Sequence, residues 1–193
     1  MTCSAAETQT LERLRRRIFL ALFTALAVAL HTLEALFPSP LPWFRPGLAN
    51  ILTVLALFLY GGGAAWSVTL ARIAIGSLLL GQLFSPGFFL ALAGGVTATA
   101  VMTGAEAVAG RRLGPVGISA LGAAGHVVGQ LLMAWLVVVR HPGVWRLLPL
   151  LLLFSLLAGL INGLVADSLL RRLRQHPAMK NSRKPGQEPE ATG

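Results

Sequence analysis

Carboxylates are scarce in this 193-residue chain: there are seven, and Asp167 is the one aspartate. Chemistry that needs clustered aspartates, such as a DDxxD magnesium site for prenyl diphosphates, cannot be built from them. Cysteine is nearly absent as well. Cys3 stands alone before the first apolar segment, which rules out a disulfide framework and a cysteine-based metal cage. Charged residues make up 12% of the chain where soluble domains carry about a quarter. Apolar residues reach 55%, and the mean hydropathy is +0.71. A water-soluble domain of this size has too little interior to hide so much Leu, Ala, Val and Phe. The net charge of +9 invites a nucleic-acid reading, but its placement argues against one. Of 16 basic residues, four fall in Arg13–Arg17 and six in Arg171–Lys184, on either side of the apolar body. Basic ends around an apolar middle describe an integral membrane protein whose first partner is the lipid bilayer.

Glycine, proline and charge divide the middle into six apolar blocks: Ile18–Leu36, Leu48–Tyr60, Ala64–Leu80, Phe88–Ala105, Gly117–Val139 and Leu147–Leu170. A spanning helix needs roughly 20 residues, fewer where protein shelters it. No block alternates with period two, so the expectation is an all-α bundle of six transmembrane helices. Residues 18–170 form the membrane domain, residues 1–17 a basic N-terminal segment, and residues 171–193 a basic tail. The tail holds Pro177, Pro185 and Pro189 and is expected to be disordered. With both termini cytoplasmic, twelve basic residues lie inside, three (Arg45, Arg140, Arg146) lie outside, and Arg72 falls within a span. The positive-inside rule selects that orientation. The first block is long for a signal h-region and lacks a clear cleavage site, so it reads as an uncleaved helix.

Small residues mark close helix contacts. Ala21, Ala25 and Ala29 form a stripe at i, i+4 spacing on the first helix, while Gly125-xxx-Gly129 and Gly159-xxx-Gly163 mark the fifth and sixth. Each fits either packing inside the bundle or a docking face for another membrane subunit. The intramembrane polar residues say more, because each costs a few kcal/mol in lipid. Arg72 sits in the third span, His126 and Gln130 share a face of the fifth, and Asn162 lies in the sixth. Arg45 and Asn50 stand at the entrance to the second, His31 and Glu34 at the end of the first. Taken singly, each suits an interhelical hydrogen bond; as a set they outline a polar cavity open to the outside. The stiff, proline-rich Phe37–Pro46 and the aromatic turn Phe84–Phe89 read either as an interfacial belt or as a lid over a flat ligand. Phe84 and Phe88 are the rings expected to cover it. No nucleophile elbow, triad, phosphate loop or metal spacing is present, so the expectation is a non-enzymatic protein without a cofactor.

Several runs resemble a known family. They are His31-Thr-Leu-Glu34 before the proline-rich segment, Gly47-Leu-Ala-Asn50, Ala71-Arg-Ile73, Leu83-Phe-Ser-Pro-Gly-Phe88, Ala93-Gly-Gly95 and Gly125-His-Val-Val-Gly-Gln130. Together they resemble the Gx transporter family, also labelled heptaprenyl diphosphate synthase component I, over about residues 18–170. That family is similar to the substrate-binding S components of energy-coupling-factor transporters. The resemblance implies six helices, a bacterial inner membrane, and a ligand held near the outer face. It also implies that the first-helix stripe docks on an energising scaffold with ATPase subunits. The expected ligand is vitamin-, flavin- or quinone-precursor-like, and Arg45, Asn50, Arg72, His126, Gln130 and Asn162 are the residues to hold it. The alternatives are a scaffold among flavin- or quinone-linked redox membrane proteins, and an accessory role in heptaprenyl diphosphate synthesis. Cysteine-accessibility mapping tests the topology: a cysteine beside Pro142 is labelled from outside, and one beside Arg111 is not.

Overall fold

The computed structural model describes residues 5–36 and 47–175, and among them it holds helices and no strand. The helices are α1 (Ala5–Leu36), α2 (Ala49–Tyr60), α3 (Gly62–Leu79), α4 (Pro86–Ala109), α5 (Pro115–Met133) and α6 (Leu148–Gln175). A π-helical run, Ala134–Val139, extends α5, and a 3-10 segment, Pro142–Leu147, leads into α6. The expected tail beyond Gln175 and the Phe37–Pro46 segment lie outside the described residues. Helix α1 starts well before Ile18, so Arg13–Arg17 belong to its first turns rather than to a separate segment. No Gly or Pro interrupts Ala5–Leu36, and arginine is a good helix former. Helix α6 likewise runs past Leu170, with Arg171 paired to Asp167 at 2.7 Å one turn back.

Five of these helices are long and apolar enough to cross a membrane. The sixth, α2, is apolar but shorter. Its 12 residues reach about 18 Å at 1.5 Å per residue, short of a hydrocarbon core of about 30 Å. Gly47 and Gly61 bracket it with φ of 72° and 87°, a left-handed backbone that ends helices readily. Ala49 and every residue from Ile51 to Leu57 are buried, so α2 touches protein on all sides. A helix clad in protein has no need to match the bilayer's thickness.

Helix α1 holds both ends of α2. The Leu48 N–H donates to Glu34 Oε1 at 2.5 Å, setting a carboxylate at the start of α2. At the other end Arg16 donates from Nη2 to the Tyr60 carbonyl at 3.2 Å, its guanidinium 6.0 Å from the Tyr60 ring centre. Anion at the N-terminus and cation at the C-terminus both suit the helix dipole. Farther in, Thr99 donates to Thr69 at 2.9 Å, and the Thr69 and Thr53 hydroxyls are 3.3 Å apart. That buried chain ties α4, α3 and α2 together.

The glycine motifs are seams of the bundle itself. A Cβ on Gly129 would collide with the Thr97 hydroxyl and the Ala93 carbonyl of α4, and one on Gly125 with Val101. On α6, Gly159 lies against Ala120 and Ala123 of α5, and Gly163 against Val116. The alanine stripe differs. Ala21, Ala25 and Ala29 are all exposed, while Phe23, Ala27, Val28 and His31 form the inward face of α1. Ala27→Trp therefore overpacks the core and is expected to cost about 1–3 kcal/mol or more, whereas Ala25→Trp stays within about 0.5 kcal/mol of wild type. Thermal unfolding in detergent distinguishes the two, and equal losses would place the stripe inside the fold.

Candidate functional site

At the end where α1, α3 and α5 finish and α2, α4 and α6 begin, the helices leave a cavity of about 200 Å³. All six contribute to its wall. Helix α1 brings His31 and Glu34, α2 brings Asn50, and α3 brings Arg72 and Ile73. Helix α4 offers the small or apolar Gly87, Leu90 and Ala91. Helices α5 and α6 add His126 and Gln130, and Ser155 and Asn162.

Local sequence explains why these side chains reach the space. Ser85 caps α4 by accepting the Phe88 N–H at 3.2 Å, and Pro86 occupies the first helical position. That start sets the helical register, so Gly87, Leu90, Ala91 and Gly94 share the inward face. Farther along this face a Cβ on Gly94 would meet His126 and Gln130 at 2.8 Å. The missing side chain on α4 is what lets both residues of α5 lie there. Gly76 of α3 does the same for His31, whose Cδ2 would stand 2.6 Å from a Cβ.

Asn50, Arg72, His126, Gln130 and Asn162, expected to converge, do line one cavity. Phe84 and Phe88 stand outside its wall. Phe84, in the turn before the Ser85 cap with φ of 64°, is 73% exposed and edge-on to Phe88 at 5.7 Å. Arg45 and the proline-rich cover lie outside the described residues. Two polar residues are also tied into the fold. Asn162 donates from Nδ2 to the Gly47 carbonyl at 3.2 Å, bridging α6 to the entry of α2, and Ser155 donates to the Ala123 carbonyl at 2.8 Å. Ser155 and Gly76 are not singled out by the sequence, and Gly94 only as part of the Ala93-Gly-Gly95 run. A glycine opposite a histidine on another helix is the pattern that marks them.

Arg72 is the residue that stands out. It is 5% exposed, and its Nε is sealed from solvent without a hydrogen-bond partner among the described residues. Glu34, across the cavity wall, is the carboxylate whose charge acts on it. Asn50 Oδ1 is sealed and unpartnered in the same way. Such a buried polar group costs about 1–3 kcal/mol, more when it is charged. One wall of the cavity thus holds a donor and an acceptor that the described residues leave unsatisfied. No group of three or more His, Cys, Asp or Glu side chains placed to hold a metal ion occurs among the described residues.

No curated protein and no solved structure matches the chain. The likeness to S components therefore rests on the residues quoted for it. The family described as heptaprenyl diphosphate synthase component I matches residues 23–169, from the middle of α1 almost to the end of α6. The chain belongs to that family.

Proposed function

We propose that this protein is a membrane-embedded binding subunit for transport of a small molecule, vitamin-, flavin- or quinone-precursor-like in size. The observation that carries the reading is Arg72, a buried side chain in the wall of a cavity at one end of the bundle, whose Nε has no hydrogen-bond partner among the described residues. An arginine held at membrane depth only for structure is expected to meet a carboxylate or carbonyls. Here Glu34 acts on Arg72 through its charge while also accepting the Leu48 N–H at the start of α2, and Arg72 Nε is still met by no hydrogen bond among the described residues. A planar guanidinium suits a carbonyl or carboxylate group on a ligand, and His126 and Gln130 are placed to orient it. The basic asymmetry supports cytoplasmic termini, which put the cavity at the outer face. The exposed Ala21, Ala25 and Ala29 suit close contact with a second membrane subunit, in this reading an energising scaffold.

The family's name favours a second reading, an accessory role in heptaprenyl diphosphate synthesis. Under that reading the cavity would hold a diphosphate head or nothing.

The test is purification of the wild type from bacterial membranes in mild detergent, followed by denaturation and analysis of what is released. The binding reading expects a small molecule near equimolar with protein, reduced roughly tenfold in Arg72→Ala, the loss of about one charge-assisted hydrogen bond. Equal amounts from both proteins would leave Arg72 without a role in binding. A stable complex with a redox protein and no released molecule would favour a scaffold.

A further inference from the structure

We infer that the occupant of this cavity is a small molecule of no net charge, with a carbonyl-type acceptor beside a hydrogen-bond donor, and that diphosphates are excluded. The inference rests on the binding reading above and names its ligand class. Among the described residues lining the cavity, Arg72 is the one cation at all pH values and Glu34 the one carboxylate. The formal charges of the wall therefore balance before any ligand enters. His31 on α1 and His126 on α5 are the other titratable groups, while α2, α4 and α6 present none. A diphosphate would carry two or more negative charges into this space against a single guanidinium. Uncompensated charge at that depth is costly.

Hydrogen-bond polarity points the same way. The two sealed, unpartnered atoms are a donor, Arg72 Nε, and an acceptor, Asn50 Oδ1. Ionised phosphate oxygens only accept, so a diphosphate could answer Arg72 and would leave Asn50 unsatisfied. An amide, imide or ureide edge presents an acceptor and a donor side by side and answers both. The remaining wall sets size and shape. Helix α4 gives Gly87, Leu90 and Ala91, and α6 gives Ala158 and Gly159, a low apolar surface against which a flat ring can lie. A space of about 200 Å³ lies below the roughly 300–1,000 Å³ of drug-sized sites. It admits a compact ring and no long isoprenoid chain.

Two measurements test this. Compounds released from denatured wild type are identified by mass spectrometry in both ion polarities, beside Arg72→Ala and Asn50→Ala. The expected compound is neutral, bears an amide, imide or ureide group, and falls roughly tenfold in each variant. Asn50→Ala carries the comparison alone if Arg72→Ala does not fold. In parallel, inorganic pyrophosphate at millimolar concentration is added to wild type at about pH 6 and about pH 8, either side of the ordinary histidine range. The melting temperature is expected to stay unchanged at both. A multiply anionic compound, or stabilisation by pyrophosphate that saturates and vanishes in Arg72→Ala, overturns the inference and leaves the binding reading standing. If nothing is enriched over the variants, the binding reading falls and the inference with it.

Discussion

A short helix buried in the middle of a membrane bundle has to have its two ends satisfied by protein. Helix α2 leaves N–H groups at one end and carbonyls at the other that its own turns cannot satisfy. Helix α1 answers at each end, Glu34 beneath the first turn and Arg16 beside the last carbonyl. The separation of those residues along α1, 18 positions or about 27 Å of helix, brackets α2 together with its two flanking glycines. With α2 fixed, the neighbours can close round it. The threonine chain ties α3 and α4 to its middle, and Asn162 ties α6 to its entry. The cavity lies at the N-terminal end of α2, where the short helix stops and its longer neighbours continue.

Glycine then does two kinds of work. Along α5 and α6, Gly125, Gly129, Gly159 and Gly163 bring helix backbones close, the contact that membrane helices gain most from because burying leucine against leucine adds little over lipid. At the cavity, Gly76 and Gly94 face imidazoles instead of backbones. The same absence of a Cβ makes a tight seam in one place and seats a polar side chain in the other. Which of the two occurs depends on the residue opposite, and that residue lies on another helix.

This is why the sequence revealed some parts and hid others. Helix positions came through because hydropathy blocks and their glycine and proline borders are local, and the six blocks fall on α1 to α6 within a few residues except at the start of α1 and the ends of α4 and α6. The convergence of Asn50, Arg72, His126, Gln130 and Asn162 was legible because polar residues inside apolar blocks have few places to go. The hydrogen bond of Asn162 to the Gly47 carbonyl spans 115 positions of sequence and leaves no local trace. Phe84 and Phe88 were read as a cover because aromatic rings flank the turn. Phe84 sits in the left-handed turn before the Ser85 cap and Phe88 within the first turn of α4, and the Ser-Pro pair at the head of an apolar run marks where that helix starts.

The two central features of the molecule, the short helix and the buried Arg72 with its unmatched Nε, are linked through Glu34. A carboxylate near a buried guanidinium is the natural route to a closed ion pair, and such a pair would shut the cavity on its charged side. Glu34 acts on Arg72 through its charge and also accepts the Leu48 N–H at 2.5 Å, steadying the first turn of α2. A longer α2 would carry its N-terminus past Glu34 and remove that demand on the carboxylate. Pairing with Arg72 would then be the stronger interaction, since charge-assisted bonds between two ions exceed those to a backbone amide. By starting where it does, α2 engages the carboxylate at its first turn, and Arg72 Nε stays without a hydrogen bond among the described residues.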